Sequence, residues 1–172
     1  MPNVQTMLQW MIDKCNDEHV GYSQTYRQQQ TVNGITYYDC SSMMWYALKV
    51  AGFDIVSANN GSSYPFTTST MGVVLDRLGF KRLSATSVDW LPADIVWRSG
   101  HTEMVMIPNI TMGAHTDGVA LEDQVSINKY HSDKSSWTYV YRYTDWDNIE
   151  PEPEPTPVTR RKMPLWMMCR GY

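Results

Sequence analysis

The chain is 172 residues long, 42% of them hydrophobic, and carries a formal net charge of −4. That length holds one domain with a proper core and excludes a second full one, and the acidic balance leaves no basic field to draw in nucleic acid or an anionic membrane surface. Three widely spaced cysteines, Cys15, Cys40 and Cys169, make neither a disulfide framework nor a cysteine-rich zinc module.

Val4, Met7, Leu8, Met11 and Ile12 recur at helical spacing, which predicts an amphipathic first helix ending near Cys15. Residues 16–38 are rich in Gln, Tyr, Thr and Gly without clear periodicity and read as a long ordered loop. A short, strong helix is expected over 41–51, stopped by Gly52, which tolerates the left-handed backbone of a helix end. Cys40 then sits at that helix's N-terminus. A further helix is expected over 68–78, where Met71, Val74, Leu75 and Leu78 form an apolar stripe closed by Gly79. After it come short segments at 94–97, 102–107, 111–114, 119–127 and 138–143, punctuated by Gly, Pro, Asn or Ser, which read as strands of a meandering antiparallel sheet. Helices first and strands afterwards gives an α+β domain over 1–149. From Glu150 the repeated Glu-Pro pairs predict an extended spacer over 150–159. The tail at 160–172 combines Arg160, Arg161 and Lys162 with Leu165, Trp166, Met167 and Met168, and is too short for a domain. A remnant of a wall-binding module and a docking peptide both fit it.

Cys40 is flanked by Asp39 on one side and Ser41 and Ser42 on the other, at the mouth of the expected helix. Unpaired backbone N–H groups and the helix dipole favour an anion there, so the thiol's pKa is expected to fall. The same N–H groups suit the oxyanion of an acyl-transfer intermediate. The competing reading is a small buried cysteine with no chemistry. His101 follows Ser99-Gly100 and opens an apolar strand. A firmly held backbone beside a turn suits a general base for a thiol. Three residues compete to orient its imidazole. A hairpin would bring His115 beside His101, Glu103 lies two residues along the strand on the same face, and Asp117 follows His115 in a turn. For either acid the plainer reading is a solvated charge. His19 and His131 sit in polar loops and are expected at the surface. A zinc set of Cys40, His101 and His115 lacks the close histidine pairing common in zinc enzymes, so no metal or cofactor is expected.

Several of these segments together, Gly21-Tyr22-Ser23 through Arg27, Tyr38-Asp39-Cys40-Ser41-Ser42, Tyr46-Ala47-Leu48, Ala51-Gly52, Ala93-Asp94-Ile95-Val96-Trp97 and Gly100-His101-Thr102, resemble a known family. The chain is similar over residues 4–143 to bacteriophage peptidoglycan hydrolases of the N-acetylmuramoyl-L-alanine amidase type, within the NlpC/P60 cysteine peptidase superfamily. The resemblance implies a papain-like fold with N-terminal helices on the antiparallel sheet. It implies Cys40 as nucleophile, His101 as base and His115 as the residue that orients the imidazole. Tyr22 corresponds to the family's groove tyrosine, and Asp39 and Ser41 are implied to contact the stem peptide. For Asp39 a helix cap is an equal alternative. Residues 28–36 are an insertion relative to the family pattern. The implied partner is cell-wall peptidoglycan, cut at the muramoyl–alanine amide or, in a rival reading, inside the stem peptide or cross-bridge. A noncatalytic wall-binding module, with the seven Trp and eleven Tyr stacking on sugars, is the alternative of a different class. Residues 1–15 lack a basic and apolar export signal. With the resemblance, this implies synthesis in the host cytoplasm and release to the wall through a separate membrane pore.

Overall fold

The computed structural model describes residues 1–128, 131 and 133–145. The first helix, α1 (Val4–Asn16), is capped by the Asn3 side chain, which accepts from the Gln5 and Thr6 amides. It buries Val4, Met7, Met11 and Cys15 along one face. The segment read as a loop instead holds β1 (Val20–Tyr22), β2 (Thr31–Val32) and β3 (Ile35–Tyr38). They form a small three-stranded sheet in the order β1-β3-β2, with β1 parallel to β3 and β2 antiparallel to it. Strands of two to four residues are too short to show a period, which is why the sequence hides them.

Helix α2 (Cys40–Val50) follows directly, and Gly52 turns away from it at φ +84°. Two shorter helices come next, α3 (Ile55–Ala58) and α4 (Met71–Arg77); α4 starts three residues later than the apolar stripe predicts. The larger sheet contains β4 (Phe80–Ser84), β5 (Ile95–Arg98), β6 (His101–Ile107), β7 (Ile110–Ala114), β8 (Val125–Asn128) and β9 (Tyr139–Tyr143). Its order is β4-β9-β5-β6-β7-β8, with antiparallel neighbours throughout. The run β5-β6-β7-β8 is the expected meander, whereas β9 returns to lie between β4 and β5. The expected strand at 119–127 is corrected to one helical turn, α5 (Leu121–Gln124), followed by β8.

The sheet carries a core on each face. One holds Met7, Met11, Met43, Met44, Leu48, Met104 and Met112 between the helices and the sheet. The other gathers Ala85, Trp90, Val96, Val105, Trp137 and Val140. Alternation along β6 sends Met104 to the first and Val105 to the second. No helix among the described residues is long and apolar enough to cross a membrane. The segments at 150–159 and 160–172 lie outside the described residues.

Candidate active site

Cys40 opens α2 because Asp39 caps it. The Asp39 carboxylate accepts from the Ser42 amide at 2.6 Å, and Ser42 Oγ accepts in return from the Asp39 amide at 2.9 Å, a reciprocal capping box. Arg27, from the loop after β1, reaches in to ion-pair with Asp39 and donates to Ser41 Oγ at 3.0 Å and to the Pro65 and Phe66 carbonyls. Asp39 and Ser41 are both buried, with their oxygens engaged in this network. Of the two roles open for Asp39, the structure displays the cap.

The backbone N–H groups of Thr102, Ser41 and Cys40 itself act on the Cys40 thiol. These N–H groups lower its pKa, as the helix mouth predicts, but they do not decide it. Burial dominates, the charge of Asp39 adds to it, and together they push the thiol up to about 11. The expected fall in pKa is therefore corrected to a rise: Cys40 is 6% exposed, and desolvation of the thiolate outweighs the helix end.

His101 begins β6 immediately after a two-residue hairpin in which Gly100 takes φ +80°. Its Nε2 lies 2.8 Å from Glu103 Oε1, and its ring stacks on Trp137 with centroids 5.7 Å apart. Glu103 is completely buried, which corrects the reading of it as a solvated charge. Room for it comes from Gly113 on β7, where a Cβ would stand 3.2 Å from Glu103 Cγ. Two further imidazoles converge on the same oxygen. His131 Nδ1 is 2.5 Å from Oε1, and His115 Nδ1 is 3.1 Å away but out of line for a hydrogen bond. Burial alone would raise the Glu103 pKa; the imidazoles of His101, His115 and His131 outweigh it and hold the carboxyl well below its ordinary range. Donor atoms of His101, Glu103, His115 and His131 all lie within 4.8 Å of one another, a spacing that can hold a metal ion. Cys40 is not among them.

Tyr22 stands on β1 opposite Tyr38, two residues before the thiol. Its amide donates to Gln124 Oε1 and its hydroxyl accepts from Gln24. Burial raises its pKa against the Gln24 hydrogen bond, and the negative potential of Cys40, Asp39 and Asp117 adds to the rise. The phenol is therefore protonated at neutral pH, and it is partly open to solvent.

A family model described as bacteriophage peptidoglycan hydrolase matches residues 3–150. The chain belongs to that family. It is therefore a hydrolase acting on cell-wall peptidoglycan, and the noncatalytic reading falls away. No curated protein matches the chain.

Within this peptidoglycan hydrolase, the residues singled out from sequence divide into groups. The charge of Cys40 acts on the Tyr22 phenol, and the Thr102 amide of β6, next to His101, acts on the Cys40 thiol. Among the described residues, no hydrogen bond joins the Cys40 thiol to the His101 ring. The partner of His101 Nε2 is Glu103, one of the two acids weighed for that place. His115 is not its partner; its Nε2 faces the Ser126 carbonyl at 3.2 Å. Asp117 is exposed in its turn. His19 is at the surface as expected, whereas His131 is corrected from a surface residue to a partly buried member of the cluster. Sequence reasoning also missed Trp137, whose indole N–H donates to the His131 carbonyl at 2.6 Å while its face supports His101. Nothing in the local sequence marks either residue, because the turn that carries them takes its meaning from the sheet it packs on.

Proposed function

We propose that this hydrolase is a papain-like cysteine amidase of the NlpC/P60 type that cleaves the N-acetylmuramoyl-L-alanine amide. What supports the reading is the packing of α2, which Cys40 opens, on β6, which His101 opens, with the Thr102 amide of β6 acting on the Cys40 thiol. With His101 Nε2 engaged by Glu103, the remaining ring nitrogen, Nδ1, is the basic atom. It takes the proton from Cys40 as the sulfur attacks the amide carbonyl carbon. The Cys40 amide, together with the Tyr22 phenol, stabilises the resulting oxyanion. As the C–N bond breaks, His101 returns the proton to the departing amine and leaves a thioester on Cys40. Water then attacks the thioester, giving its proton to His101, and the carboxylic acid leaves as the thiol is restored. The enzyme would be made in the host cytoplasm and reach the wall through a separate pore.

The test is mass spectrometry of purified Gram-positive peptidoglycan digested with the intact protein and, in parallel, with Cys40→Ala. Free stem peptides beginning with L-Ala are expected from the first, and no soluble product from the second. Cleavage inside the peptide would replace the amidase with an endopeptidase, and release of product by a folded Cys40→Ala protein would overturn the cysteine mechanism.

A further inference from the structure

We propose that His101, Glu103, His115 and His131 form a site for one divalent transition-metal cation of the zinc type, bound through His101 Nε2, Glu103 Oε1, His115 Nδ1 and His131 Nδ1. The argument starts at His115. Its Nε2 faces the Ser126 carbonyl, which can only accept, so Nε2 carries the ring proton. Nδ1 is the atom left to face the cluster, and it stands 3.1 Å from a carboxylate oxygen without making a hydrogen bond to it. Nδ1 is buried and has no hydrogen-bond partner, and the His115 side chain is only 9% exposed. A cation between this buried nitrogen and the carboxylate would give each of them a bond.

The rest of the cluster fits the same centre. Three imidazole nitrogens converge on one Glu103 oxygen, at 2.8, 3.1 and 2.5 Å, while Glu103 Oε2 is left buried without a partner. Protons alone would spread these rings over both oxygens of the carboxylate. Ligands about 2.0–2.1 Å from a tetrahedral zinc stand about 3.3 Å from one another; the 3.1 Å separation is close to that, and small side-chain shifts bring the others, all within 4.8 Å, to it. Three imidazoles and a carboxylate suit zinc and its neighbours in the first transition row, and not magnesium or calcium, which take oxygen ligands. The outer acceptor that a metal-bound histidine needs is present at His115, where the Ser126 carbonyl stands behind Nε2, and the Trp137 ring packs against His101. With four protein ligands the site is closed, as structural and regulatory sites are.

The test uses the full chain as Cys40→Ser, so that the thiol cannot bind the probe, stripped with chelator and titrated with zinc by calorimetry. Cobalt(II) in a parallel sample reports geometry through its visible absorption. One zinc per chain and a tetrahedral cobalt spectrum are expected. Loss of an outer-shell partner already costs about 10- to 100-fold in metal affinity, so His131→Ala and His115→Ala should each weaken binding by about 100-fold or more. Circular dichroism checks that each variant is folded, and His131→Asn replaces His131→Ala if the latter is not. Absence of stoichiometric binding overturns the site, as does binding that folded His115 and His131 variants retain in full.

Discussion

At Cys40 two opposing effects meet, and their balance defines how the nucleophile must work. The helix mouth and three backbone N–H groups favour a thiolate, but burial and Asp39 disfavour it more, and the thiol rises to about 11. A raised pKa means that, at any pH below it, less of the group is ionised than for an ordinary thiol. At pH 7 about one part in 10,000 is thiolate, so the proton has to pass to a base during attack instead of having left beforehand. Alkylation of Cys40 by iodoacetamide, followed by mass spectrometry without substrate, should therefore be slower than that of a model thiol. It should accelerate about tenfold per pH unit from 7 to 10. Fast modification already at pH 6, flat with pH, would reveal a preformed thiolate–imidazolium pair and sink this account. The same residue shows what a sequence can and cannot carry. Asp-Cys-Ser-Ser before an apolar helix locates Cys40, and a glycine turn before an apolar strand locates His101. The sign of the thiol's shift depends on what covers it, which no local pattern records. Glu103 is a similar case. Its place on the face of His101 follows from strand alternation, but its burial follows from Gly113 on the next strand and from histidines up to 28 residues away.

Among the elements, α1 and α2 were readable because an amphipathic stripe and a closing glycine are local signals. The strands β1 to β3 were not, since their few Gln-, Tyr- and Thr-rich residues take their pairing from the chain around them. β4 was missed for a related reason: only Phe80 is buried, and Lys81 and Arg82 face solvent on an edge strand. This undervalued first third of the chain holds the nucleophile's helix in place through Arg27. Burial by itself would lower the Arg27 pKa, and its bonds to Asp39 reverse that, so the guanidinium keeps its charge in the buried ion pair. Arg27→Ala would strand the Asp39 carboxylate, buried and unpaired, at the start of α2. Removing one partner of a buried pair costs about 3–5 kcal/mol, and a loss of that order should appear in chemical denaturation of the variant. Paired replacement, Arg27→Met with Asp39→Asn, should recover part of it, because no lone charge remains. If Arg27→Ala unfolds at the same denaturant concentration as the parent, the pair does not anchor the helix.

On the scale of the whole molecule, the candidate site is assembled from distant parts: Tyr22 from the small sheet, Cys40 from a helix, His101 and Glu103 from β6, His115 from just past the end of β7, and His131 from the turn before β9. Short-range motifs explain the contributions of α2 and β6, while those of the small sheet and of His131 join through sheet topology. The proposed metal would bridge these parts, and its effects on stability and on catalysis should oppose one another. Ligation through Nε2 leaves the His101 proton on Nδ1, the atom that the cysteine mechanism needs as its base. Zinc at 100 times its dissociation constant should therefore stabilise the native protein by about 2.7 kcal/mol, read as a raised Tm, while suppressing release of peptidoglycan fragments. Chelator should reverse both effects together. In His131→Ala, the ratio of activity with zinc to activity without it should rise toward one, and the zinc-dependent gain in Tm should vanish. A zinc-stabilised enzyme that hydrolyses at full rate would separate the metal from His101 Nε2 and place the base elsewhere in the site, whereas inhibition that persists in His131→Ala would point to zinc captured by the Cys40 thiol.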